Sequence, residues 1–109
     1  MRRGDIVWAH LGPIHGKEQA GQKPVVIFQN DILNEQTTVI IPFTSNLKQA
    51  SRHTCLLVKK RDSKLSEDSV ALCHQIRVMD NRRLLNKAGK LSPPTLSKLE
   101  EKVKFTLGI

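Results

Sequence analysis

The residues best suited to chemistry in this chain gather in one polar stretch. His15, Lys17, Glu18, Gln19 and Lys23 place imidazole, ammonium, carboxylate and carboxamide groups within positions 15–23. Gly16 beside His15 permits close approach of a ligand to the backbone, which makes that imidazole a candidate acid or base. A second cluster, Cys55 and Cys73 with His53 and His74, invites the thought of zinc. None of the paired spacings of a zinc site is present, so no metal is expected. The two cysteines instead fit free, buried thiols in a reducing compartment.

The polar stretch lies between two apolar segments, 5–9 and 24–28, each with the composition of a strand. The connection is too long for a tight hairpin. Loops of that length in small domains are functional or disordered, and a loop held by buried strands can present its groups while the scaffold stays rigid. Further strands are predicted at 37–43, 54–58 and 69–79, the last long enough to bend midway. The continuous apolar runs 25–28 and 39–41 suggest strands covered on both faces. Residues 59–68 read as a charged, mobile connection and 80–83 as one helical turn. The stretch 84–91 fits a helix or an edge strand, with Gly89 against a long helix. Ser92 can cap a final helix whose Leu96, Leu99, Val103 and Leu107 recur at helical spacing, with Glu100 and Lys104 four apart and Gly108 as its stop. The expected architecture is one domain, 1–109, mainly β with a C-terminal helix: a small, strongly bent sheet or barrel with the helix packed against it.

With 18 Lys and Arg against 10 Asp and Glu, the chain of 109 residues carries a net charge of +8. That balance favours a polyanionic partner, nucleic acid or an acidic protein. A membrane surface is disfavoured, because no helix pairs a large apolar face with a Lys-rich one. No apolar run is long enough to span a bilayer, and the charged start argues for a cytoplasmic protein. One Trp, three Phe and no Tyr leave little for a surface built on several stacking aromatics. An electrostatic groove with a few polar readers is expected instead.

Four stretches, in order, resemble the MazF/PemK family of toxin endoribonucleases: Arg3-Gly4-Asp5-Ile6-Val7-Trp8, Glu18-Gln19-Ala20-Gly21-Gln22-Lys23-Pro24-Val25-Val26, Ile41-Pro42-Phe43-Thr44-Ser45 and Asp68-Ser69-Val70-Ala71-Leu72-Cys73-His74-Gln75-Ile76-Arg77. The resemblance implies an SH3-like barrel of the MazF/PemK (CcdB-like) type that forms a homodimer. It implies a groove in which single-stranded RNA is cut at a short sequence without metal or other cofactor, leaving a cyclic phosphate and a free 5′ hydroxyl. It also implies an acidic antitoxin partner that occupies the groove, and contact with operator DNA through the antitoxin complex.

Carried over by residue, the resemblance makes Lys23, Thr44 and His74 the catalytic candidates. His15, Lys17, Glu18, Gln19, Ser45, Gln75 and Arg77 become RNA-binding candidates. Two positions depart from the family pattern. Lys23 stands where an arginine is usual, keeping the charge but losing the two-pronged grip on phosphate. His74 stands where many relatives carry Asp or Glu, and its imidazole is either an acid or base or a strand histidine with a satisfied hydrogen bond. Thr44 either bonds a phosphate oxygen or serves a Ser/Thr turn. Arg77 either binds phosphate or forms a structural ion pair across an interface. Glu18 and Gln19 either read a base or belong to a solvated loop. The departures keep two other functions open: a catalytically impaired module that binds nucleic acid or a partner on the same barrel, and a toxin directed at DNA gyrase.

Overall fold

Alternating apolar positions, broken by turn-forming residues, build the sheet strand by strand. The computed structural model describes residues 1–13, 16 and 21–109. Its strands are β1 (Asp5–His10), β2 (Gln22–Ile27), β3 (Thr37–Thr44), β4 (Cys55–Val58), β5 (Ser69–Leu72), β6 (Arg77–Asp80) and β7 (Leu84–Lys90). A helical turn α1 (Lys60–Ser63) follows β4, and helix α2 (Pro93–Leu107) ends the fold. The strands pair antiparallel in the order β4-β5-β3-β2-β1-β7, and β6 pairs with β3.

β3 organises this arrangement. One of its edges pairs with β2 through Ile40, Ile41 and Pro42. Its other edge takes β6 along 37–40 and then β5 at Phe43 and Thr44. The bend expected within 69–79 is the 3₁₀ turn Cys73–Gln75, which separates β5 from β6 so that both can use the same edge. The sheet is thereby curled into the mainly β, SH3-like barrel with a C-terminal helix.

Both faces of the central strands are buried. Ile6, Val26, Ile41 and Phe43 pack with Leu99 and Val103 of α2. Val7, Ala9, Val25, Ile27, Ile40 and Met79 make a second cluster on the other face, as the two-residue period of a strand requires. Of the apolar runs 25–28 and 39–41, Val25, Val26, Ile27, Ile40 and Ile41 are buried, whereas Phe28 and Val39 are half-buried.

The structure resolves one reading left open and corrects others. The ambiguous stretch is strand β7, paired with β1. Gly89 suits it because an added Cβ would lie 2.2 Å from the Ser63 carbonyl oxygen. Residues 59–68 are fixed rather than mobile: Ser63 is fully buried, and the Asp68 carboxylate accepts the Lys60 N–H at 2.8 Å. The charged side chains there point outward while the backbone is tied down, which composition alone does not reveal. Finally, Ser92 precedes α2 without capping it through its side chain; its hydroxyl donates to Thr95 Oγ1 at 2.8 Å. Glu100 passes over Lys104 and reaches Arg3 at 2.7 Å, because Arg3 is already held over the Phe28 ring, 4.2 Å from its centroid. Lys104 pairs with Glu101, and Leu107 is exposed.

Asp5 supplies a pH-dependent tie between β1 and β7. It is buried, accepts the Arg2 N–H at 2.9 Å and pairs with Lys87 at 3.3 Å. Burial alone would raise its pKa. The Arg2 hydrogen bond and the Lys87 and Lys90 charges outweigh it and hold the carboxyl below its usual value. A depressed carboxyl contributes stability above its unfolded pKa of about 3.9, and that contribution is lost as pH falls through the folded value. Denaturant melts of wild type and Asp5→Asn should therefore converge as pH drops below about 4.

Candidate active site

The candidate site forms where β2 and β3 part company. Their register runs through Val25↔Pro42. Continued two positions further, it sets Lys23 opposite Thr44, with both on the same face. The ladder itself stops short of them, because Phe43 and Thr44 turn to pair with β5. Lys23 is half-buried, registers with Ala9 of β1, and forms no ion pair among the described residues.

Thr44 is half-buried, and its Oγ1 accepts the Asn46 N–H at 3.2 Å. That is the turn role which the sequence left open. It does not consume the hydroxyl, since the proton remains to be donated to a phosphate oxygen. Exposed Ser45 adds a second hydroxyl. Arg77 registers with Ile40, four residues before Thr44 along β3. Arg77 forms no ion pair among the described residues.

His74 lies on the 3₁₀ turn Cys73–Gln75 and not in a strand. Its Nδ1 is 3.1 Å from Thr54 Oγ1 and 3.8 Å from Cys55 Sγ, and its Nε2 is 3.5 Å from Gln75 Nε2. Burial, and next the positive charge of Arg52, lower its pKa, only partly opposed by the Thr54 contact. The shift favours the neutral imidazole, which can accept a proton. Burial pushes the neighbouring Cys73 thiol up to about 12, with Cys55 adding to the shift, so Cys73 is no nucleophile. Among the described residues no three His, Cys, Asp or Glu side chains gather as a metal site would need.

At the ends of β2 and β3 opens a cleft of about 330 Å³ between Trp8, Pro24, Phe43 and Leu65, reached by Lys23, Ser45 and Glu67. Lys23 and Ser45 thus meet in one cavity, whereas Thr44, His74, Gln75 and Arg77 do not line it. The loop candidates His15, Lys17, Glu18 and Gln19 lie outside the described residues.

Residues 2–107 match the family of PemK-like, MazF-like toxins of type II toxin–antitoxin systems. The chain belongs to that family. The endoribonuclease MazF of Staphylococcus saprophyticus is 38% identical over 111 residues, covering 100% of this chain and 92% of that protein. Among solved structures, MazF from Deinococcus radiodurans superposes with a TM-score of 0.84 at 22% identity, covering 100% and 97% of the two chains. A mycobacterial endoribonuclease, solved in complex with its cognate antitoxin, superposes with a TM-score of 0.82 at 20% identity over 100% and 96%. At such identities the two structures speak for a shared fold.

Within this MazF-like chain, sequence reasoning missed Trp8 and Glu67 as neighbours of the site. Trp8 carried only part of a signal. Alternation sets it on the face opposite Val7 and Ala9, but Ile6 on its own face is fully buried, so alternation alone does not predict an exposed indole. Glu67 carried none, because its position depends on how 63–68 folds back beside β3. No helix among the described residues is long and apolar enough to cross a membrane.

Proposed function

We propose that this domain, 1–109, cuts single-stranded RNA by attack of the substrate's own 2′-hydroxyl, with Lys23 and Thr44 acting on one phosphodiester. The chain is an endoribonuclease toxin of the MazF type. The 2′ oxygen forms a bond to phosphorus as the bond to the 5′ oxygen breaks, leaving a 2′,3′-cyclic phosphate and a 5′-hydroxyl. Three needs follow: a base for the 2′ proton, an acid for the departing oxygen, and a counterweight to the charge on the phosphorane. The Lys23 ammonium supplies the last, and the Thr44 hydroxyl donates to a non-bridging oxygen. Neutral His74 accepts the 2′ proton, and the departing 5′ oxygen takes its proton from the resulting imidazolium or from the Lys23 ammonium. Ser45, Gln75 and Arg77 hold the flanking strand, together with His15, Lys17, Glu18 and Gln19 of the loop. The need for a 2′-hydroxyl explains a preference for RNA over DNA.

What supports this reading is the β2–β3 register, which ends at Val25 and Pro42 and, carried on by the strand period, brings Lys23 and Thr44 towards one face. The net charge of +8 supports a polyanionic substrate. It also supports an acidic antitoxin segment competing for the same face. The domain acts as a cytoplasmic homodimer whose antitoxin complex contacts operator DNA. The test is incubation of the purified protein with long single-stranded RNA in excess EDTA. Discrete fragments with cyclic phosphate ends are expected. RNA bound but left intact would point to a binding module, and inhibited gyrase with untouched RNA to a gyrase toxin.

A pH profile tests His74 separately. Its lowered pKa predicts cleavage that is constant through neutrality and falls on an acid limb with a midpoint below about 6.5. In His74→Gln that limb should disappear, whatever the residual rate.

A further inference from the structure

We propose that the Trp8 cleft is a nucleobase pocket, taking one base next to the cleaved linkage, and that guanine is the base it fits. The proposal rests on the RNA-cleaving reading above and adds the part of the substrate that the Lys23–Thr44 face does not hold.

The cleft lies on the other side of the same strand ends. Trp8 registers with Pro24 and Ala9 with Lys23, so the indole and the candidate phosphate-binding groups project to opposite faces. Lys23 and Ser45 nevertheless reach the cleft rim, and Ser45 follows Thr44 directly. An RNA strand passing over the ends of β2 and β3 can leave its phosphate at Lys23 and Thr44 and turn the adjoining base over the edge.

The lining suits a base. Trp8 is 40% exposed, and its indole N–H has no protein partner among the described residues. Pro24, Phe43 and Leu65 complete an apolar wall beside it. A volume of about 330 Å³ falls at the small end of ligand cavities, roughly 300–1,000 Å³. An exposed aromatic face above an apolar wall is what an unstacked base seeks when single-stranded RNA is bound.

Glu67 supplies the selectivity. In a chain of net charge +8, a carboxylate on this rim repels phosphate, so what faces it is a base edge. Its neighbour Asp68 is committed to the Lys60 N–H and to Lys59, whereas Glu67 forms no ion pair among the described residues. An ionised carboxylate only accepts. Guanine offers it two parallel donors, the ring N1–H and the exocyclic amine. Adenine and cytosine offer one amine beside a ring acceptor, and uracil one N–H between two carbonyls. The wall that carries Glu67 is anchored, since Leu65 N–H donates to Ser63 Oγ at 3.1 Å and Ser63 is fully buried.

Trp8 is the only tryptophan and the chain has no tyrosine, so its emission reports on the pocket directly. The probes are 2′-O-methyl hexanucleotides, which lack the nucleophile, identical except for G, A, C or U at each position in turn. Saturable quenching of Trp8 emission is expected, with the G-containing members binding about tenfold or more tightly at one position. In Glu67→Gln that preference should relax while quenching persists. In Trp8→Ala, binding read by the anisotropy of a fluorescently labelled hexanucleotide should weaken about tenfold. Binding without a change in emission, or base preferences unaltered in Glu67→Gln, would overturn the pocket even if cleavage is intact. Quenching by an acidic peptide but by none of the oligonucleotides would overturn it too. Quenching and G preference without any cleavage of ordinary RNA would sustain the pocket and defeat the nuclease reading instead.

Discussion

Replacing Lys23 with alanine is expected to lower kcat/KM for RNA cleavage by about 10²–10³, the usual consequence of deleting one preorganised group at a site of developing charge. Thr44→Ala should cost less, since a hydroxyl donor carries no net charge, and the double variant should fall well short of the product of the two losses if both act on the same oxygens. Lys23→Arg is the informative member of the series. A guanidinium grips phosphate through two donors where an ammonium acts as a point charge, so cleavage equal to or above wild type is expected. A loss greater than tenfold in Lys23→Arg would mean the site has been rebuilt around lysine, with the proton on its nitrogen taking part. Initial rates on a fluorescent RNA, with melting curves as a check on folding, distinguish these results.

The second large effect belongs to the scaffold. Gly89→Ala should destabilise the protein by about 3 kcal/mol, at the upper end for overpacking. The added methyl would lie 2.2 Å from the Ser63 carbonyl oxygen, and a backbone atom cannot rotate aside. For a domain of this size that corresponds to a fall in Tm of roughly 12–20 °C. Asn86→Ala, exposed on the same strand, should stay within about 0.5 kcal/mol. Because Ser63 heads the segment that carries Leu65 and Glu67, the folded fraction of Gly89→Ala should also show altered Trp8 emission. A variant that melts with wild type would show that β7 and α1 are free to separate.

The strands near the site were legible because each is a short apolar run closed by turn-forming residues: 5–9, 24–28 and 37–43 all fall within a few positions of β1, β2 and β3. The end of α2 was legible too, since Gly108 adopts the left-handed φ of 73° that a helix stop requires. Other features depend on partners distant in sequence. Glu100 had a good partner four residues away, yet a guanidinium at position 3, already ordered over Phe28, costs less entropy to engage. α1 escaped notice because its stabilising bonds run from backbone groups to Asp68. Family likeness paired Lys23 with Thr44, whereas the cleft gathers Lys23 with Ser45. The opposite orientation of Trp8 and Lys23 on neighbouring register pairs needed the ladder itself.

β3 divides one edge between β6 and β5, and this links catalytic aim to hydrophobic sorting. Were the strand to slide by a single position against its neighbours, Phe43 would be expelled from the interior and the Thr44 alcohol swallowed in its place. The greasy residues leading up to the alcohol thus act as its gunsight. Selection for potency and selection for a sound interior fall on the same few letters of the gene, so inactivating mutations need not touch any polar group.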